Sequence, residues 1–112
     1  MEIKDTITIA IDFCDHPGAR YIADGLWSGE QFLNEILYPK FKKAVEGNYL
    51  LLIDLDKVFG YPSSFVSGSF GKLSLLEGAD KVLKYITFKS EENPLRLEII
   101  VSEIREPNKK IK

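Results

Sequence analysis

The stretch "LLIDLDKVFGYPSSFVSGSFGKL", residues 51–73, decides the reading of the fold. Together with the Tyr49 and Leu50 before it, it opens as an apolar run closed by Asp54 and Asp56, too short for a helix of its own. A strand covered on both faces has that composition, which predicts a central place in a sheet. Gly60-Tyr61-Pro62 then turns the chain. A helix is expected from Ser63, with Phe65, Val66, Phe70 and Leu73 on or near one stripe. Ser67, Gly68 and Gly71 form a thin face able to pack closely on the sheet.

Upstream of that stretch, Ser28 precedes a helical period of Leu33, Ile36, Leu37, Phe41, Ala44 and Val45, with Gln31 at the capping-box spacing. Glu30 and Glu35 lie early and Lys40, Lys42 and Lys43 late, as the helix dipole favours. Pro39 removes one donor and predicts a kink over 35–38, and Gly47-Asn48 ends the helix. Still earlier, "TITIAIDF" (6–13) alternates at period two and reads as a half-buried strand with Ile7, Ile9, Ile11 and Phe13 on one face. "DHPGA" is a turn, and "RYIADGL" is expected to return as a short strand paired with the first. Downstream, "GADKVLKY" reads as a short helix and "ITF" as an edge strand. "NPLRLEIIVSEI" alternates well enough for a strand, but Asn93-Pro94 and the shared face of Leu97, Ile100, Val101 and Ile104 favour a helix. The expected fold class is α/β, a small mixed sheet with helices packed on it, in one domain over 1–106 followed by a basic tail, 107–112.

Composition narrows the function classes. A net charge of -2 provides no large basic surface for nucleic acid or anionic lipid. The lone Cys14 has no intramolecular disulfide partner, no apolar run is long enough to span a membrane, and no signal-peptide pattern opens the chain. A cytoplasmic protein is expected. No metal is expected either, since "CDH" (14–16) holds the only Cys and the only His. "GSFGKL" has Val66 and Leu73 where a phosphate loop needs Gly and Ser or Thr, and "YPSSF" lacks the glycines of a nucleophile elbow. No acid–base or nucleophile set remains, so a non-enzyme without cofactor is expected.

The helix start at Ser63 has two readings. Its hydroxyl can cap the helix, contributing about 1 kcal/mol. The free amides and the positive dipole end also suit a phosphate there, on the serine or on a bound small anion or nucleotide. Asp54 and Asp56 could bind a cation, but the plainer reading has Asp54 bonding loop amides and Asp56 facing water. Arg20, with Ser28 and Glu30 at the other helix start, is an anion-binding candidate. Phe59 and Tyr61 fall outside any periodic pattern, and serve either as a protein-contact anchor or as a lid on the core.

Taken together, "PGARYIADGLWSGEQFLNEILYPKFKKA" and the opening stretch resemble the STAS-like domains of bacteria. The shared features are a G-x-R turn, an S-G-E-x-F helix start, an L-x-P helix middle and an IDLD–SSF–FG-L segment, over 17–73. These domains are similar to the STAS domain of anti-sigma-factor antagonists. There, a serine at a helix start is phosphorylated by a kinase with a histidine-kinase-like ATPase fold. The resemblance implies a STAS-like fold and puts Ser63 at the phosphorylated position, with Ser64 beside it. Pro62 stands where the STAS domain proper often has an acid, and Phe65 where it has glycine. The resemblance implies a regulatory module that binds a protein partner and switches partners with such an ATPase, through Phe59, Tyr61, Ser63, Ser64, Phe65 and Ser67. A small anionic ligand or nucleotide at the Ser63 helix start is the alternative.

Overall fold

The computed structural model describes residues 1–107; of the expected basic tail, residues 108–112 lie outside it. Strand β1 (Ile3–Thr8) is followed by one helical turn, α1 (Ile9–Asp12). Helix α2 runs as an α-helical turn Gly29–Phe32, a π-helical turn Leu33–Leu37 and an α-helical run Tyr38–Gly47. After β2 (Leu50–Asp54), α3 repeats that construction with Ser63–Val66, a π-helical turn Ser67–Gly71 and Lys72–Glu77. Helix α4 (Ala79–Tyr85), strand β3 (Ile86–Lys89) and helix α5 (Pro94–Arg105) complete the order.

The sheet has the order β1-β2-β3, and both pairings are parallel. The run at 49–54 is therefore the central strand, as its composition demands. The sheet is not mixed, and the expected hairpin is absent. Gly18 donates to the Trp27 carbonyl at 3.0 Å, while the Ala19 and Arg20 carbonyls accept the amides of Gly29 and Glu30 at 2.8 and 2.9 Å. These bonds hold 18–20 against the start of α2, and residues Ile22–Asp24 form a 3-10 turn instead of a strand. β1 also ends sooner than alternation suggests. Asp12 takes the Thr8 amide at 2.7 Å, and the Phe13 and Cys14 amides close on the Ile9 carbonyl at 3.0 and 2.8 Å. Ile11 is left 80% exposed rather than in the core.

Both connections advance in the same direction across the sheet, and right-handed crossovers then place their helices on the same face. Burial follows. Leu51 and Ile53, with Ile7 and Ile86 beside them, are sealed, whereas Leu50, Leu52, Thr6 and Thr87 on the opposite face keep partial or full access to solvent. The central strand is thus enclosed on one face only, not on both as its apolar composition led one to expect, because both crossover helices pack on the same side of the sheet. Phe32, Phe41, Phe65 and Phe70 fill the space between sheet and helices, with Phe70 against Phe88 at a ring separation of 5.7 Å.

Each π-helical turn has a local cause. Pro39 has no N–H to return to Glu35, and just before it the Tyr38 amide reaches back five residues to Leu33. The kink expected from Pro39 takes that form. In α3 the Ser69 hydroxyl bonds the Phe65 carbonyl at 2.7 Å, intruding on the ladder, and the Lys72 amide reaches back to Ser67. The thin face of α3 packs on chain segments, not on the sheet. A Cβ on Gly68 would lie 2.6 Å from the Arg20 carbonyl oxygen, and one on Gly71 would meet the Glu103 carboxylate. At the end of the described chain Asn93 caps α5 by accepting the Leu95 amide at 3.2 Å, and Ile100 and Ile104 are buried, so the helical alternative is the one adopted.

Candidate functional site

The two serine-led helix starts differ. Ser28 is buried and its Oγ accepts the Gln31 amide at 3.0 Å, while Ala19 and Arg20 already satisfy the Gly29 and Glu30 amides. That start has no amide left for an anion. Arg20, Ser28 and Glu30 do come together, but as a structural joint, with Glu30 accepting the Ile22 amide at 2.8 Å.

At α3 the residue before the first turn is Pro62, and Ser63 is the first helical residue. Ser63 makes no capping bond, so the capping role expected of its hydroxyl is not the one it has. Its side chain is exposed, and among the described residues neither its hydroxyl nor the amides of Ser63, Ser64 and Phe65 meet an acceptor or donor outside the helix, apart from a 3.4 Å bond from Ser64 Oγ to the Gly18 carbonyl. Unmet amides at the first turn of a long helix favour negative charge.

Around Ser63 the loop 55–62 is fixed from below. Asp54 accepts the Asp56 amide at 2.9 Å. Asp56 does not face water: it is buried and accepts the Glu91 and Glu92 amides at 3.1 and 3.0 Å. The Glu92 amide holds its carboxyl below the ordinary range, helped by the Glu91 amide and the Lys89 and Arg96 cations, against the opposing effect of burial. Tyr61 folds in as a lid, donating to the Leu55 carbonyl at 2.9 Å, with its ring 6.1 Å from that of Phe65 and burial pushing its phenol up. Arg96, which the sequence did not single out, lies over the Tyr61 ring at 5.4 Å and donates to the Phe59 carbonyl at 3.1 Å. Phe59 is left 83% exposed.

Of the surface expected for a partner, then, Phe59 and Ser63 face solvent, while Tyr61, Ser64 and Ser67 are half-buried. Phe65 is fully enclosed and cannot touch a partner; its helical position points it at Phe32 and Phe13. Arg20 does not reach Ser63. It lies over Gly68, further along the helix.

Cys14, Asp15 and His16 bring three donor atoms within 4.8 Å of one another. Burial pushes the Cys14 thiol up against the opposing bond from the His16 amide, the Asp15 carboxylate adding to the rise, and Asp15 is engaged with His16 at 2.7 Å. Both work against a thiolate ligand. A cavity of about 430 Å³ opens between α2 and α3, lined by Arg20, Leu33, Tyr38, Lys72, Leu75 and Leu76 among others. Arg20 and Glu30, anion-binding candidates from the sequence, both line it, and a further signal lies in the pair Leu75-Leu76, which falls off the buried stripe.

A one-sided parallel α/β domain, with a helix start facing outward at the carboxyl end of its central strand, is the class these features define. Residues 28–96 match the STAS-like domain of unknown function (DUF4325), and the chain belongs to that family. No curated protein and no solved structure matches it. Among the described residues no helix is long and apolar enough to cross a membrane.

Proposed function

We propose that the protein is a non-catalytic, cytoplasmic regulatory module that binds a protein partner, with Ser63 as its switch and a histidine-kinase-like ATPase as the partner. The observation that carries this reading is the exposed Ser63 hydroxyl at the first position of α3, uncapped and beside unmet amides, with Phe59 projecting from the adjoining loop. An exposed aromatic on a loop pinned by Arg96 is a preorganised anchor for an interface. A phosphate on Ser63 would bring a charge of about -1.5 to -2 into that interface. The helix end would stabilise it in the free module, and a partner surface packed on Phe59 would reject it. Unmodified serine therefore permits docking, and phosphoserine releases it.

The test is incubation with ATP and the histidine-kinase-like ATPase encoded nearest to the gene, followed by peptide mass spectrometry. Phosphate on Ser63, and loss of partner capture for Ser63→Asp but not Ser63→Ala, is expected. Equal capture of wild type, Ser63→Ala and Ser63→Asp would remove the switch and leave a constitutive binding module. The same unmet amides also favour the second reading, a small anion or nucleotide held without covalent transfer, for which a saturable rise in melting temperature with phosphate or nucleotide is the signature.

A further inference from the structure

We propose that the cavity between α2 and α3 is a binding site for a small amphipathic anion, a molecule with one acidic head and an apolar body. This site is separate from the Ser63 surface. The two π-helical turns, Leu33–Leu37 and Ser67–Gly71, pack against each other and both contribute to the cavity lining. Such turns widen a helix locally and recur at functional sites. Here they supply Leu33 from one side and Ser67 and Gly68 from the other. The volume, about 430 Å³, falls within the range of small-molecule sites.

The lining divides chemically. Arg20 and Lys72 provide two cations against the single carboxylate of Glu30, which is already bonded to the Ile22 amide. Arg20 Nε is buried, and among the described residues no acceptor meets it. An unmet donor on a charged side chain costs free energy unless some acceptor is brought to it. Arg20 is also held in place: its carbonyl takes the Glu30 amide at 2.9 Å, and its Cγ lies where a Cβ on Gly68 would be only 3.1 Å away. Leu33, Leu75, Leu76 and the Tyr38 ring form the apolar part of the wall, with Leu75 and Leu76 half-exposed on the helix that carries Lys72. Tyr38 is fixed by a 2.5 Å bond from its hydroxyl to Glu77, so its ring forms a firm side of the cavity. An acidic head would meet Arg20 and Lys72, and an alkyl or aryl body would cover the two leucines. The net positive lining disfavours a cation, and the apolar wall gives a fully polar anion little to bind.

Octanoate is a suitable probe, followed by amide chemical shifts of the ¹⁵N-labelled chain. Saturable shifts are expected at Arg20, Gly68, Lys72 and Leu76, with none of comparable size from octanol, which lacks the charge, or acetate, which lacks the body. Lys72→Gln and Arg20→Met should each weaken octanoate by about tenfold, the loss of one charge-assisted bond. Glu30→Gln, which keeps an acceptor for Ile22, should tighten it. Lys72 is exposed, so its variant tests the site even if Arg20→Met does not fold. Absence of saturable shifts at these residues would overturn the proposal, as would octanol binding as tightly as octanoate or affinity unchanged in Lys72→Gln.

Discussion

Ser28 Oγ accepts the amide of Gln31 at 3.0 Å, the capping bond that its spacing in the sequence foretells. Ser63, at the other serine-led helix, makes no such bond. The two serines are therefore expected to part in a stability measurement. Ser28→Ala should lower the free energy of unfolding by about 1 kcal/mol or somewhat more, since the site is buried. Ser63→Ala should stay within about 0.5 kcal/mol of wild type, as exposed substitutions without partners do. Urea melts of both variants decide this, and an equal loss would mean that Ser63 caps its helix after all.

Acid should act through Asp56. Its carboxyl is held low in the folded chain by the Glu92 and Glu91 amides, so its contribution is present above the unfolded value near 4 and fades as pH falls through the folded value. Asp56→Asn, which points an amide group at one of those donors, should cost about 2 kcal/mol at pH 7. The gap between variant and wild type should close as pH drops below about 4. A gap that persists unchanged at lower pH would show that the carboxylate charge is not what ties the two loops.

The crossing of α2 and α3 has no room for a methyl group. A Cβ on Gly29 would stand 2.4 Å from the Phe65 carbonyl oxygen and 2.9 Å from the Gly68 carbonyl carbon. Gly29→Ala should therefore destabilise by about 3 kcal/mol through forced separation of the helices. Gly60→Ala, with nothing within 4 Å of the added Cβ, should be neutral or slightly stabilising. Thermal melts of the pair are the check.

Lys57 and Trp27 both adopt positive φ, 65° and 59°. The lysine side chain is exposed, so Lys57→Gly should relieve about 1 kcal/mol of backbone cost and raise the melting temperature. Trp27→Gly relieves the same backbone but removes a ring packed edge-on against Phe13 at 5.5 Å, and should destabilise. Opposite signs are expected; a gain at both would show that backbone strain alone governs the two positions, and a loss at Lys57→Gly would show that the positive φ there costs nothing.

Local chemistry was legible wherever a single segment contained it. The apolar run ending at Asp54, the Ser28–Gln31 spacing, the Gly47-Asn48 stop and Asn93-Pro94 each fixed an element, because strand burial, capping and turn conformation depend on neighbours a few residues apart. Those signals gave the α/β class and the central strand, while the spaced motifs over 17–73 carried the family resemblance that the match over 28–96 bears out. The same kind of reading failed where long-range bonding competed with pattern. Residues 20–26 lose their expected strand because 18–20 bond with 27–30 and Ile22–Asp24 form a 3-10 turn, and Ile11 loses its place in the core to the turn closed by Asp12.

The site shows the same division. That a helix begins near Ser63 is written in Gly60-Tyr61-Pro62, but which side chains reach solvent is not, since Phe59 and Tyr61 both fall outside any periodic pattern and differ only in what the fold sets over them. Likewise nothing local announces that Arg20, Tyr38 and Lys72 share one cavity, because three separate segments build it. The sequence by itself determined the elements, whose causes are short-range. Only the tertiary structure decided the neighbours across those elements, because burial and charge at a point are sums over segments that the chain holds far apart.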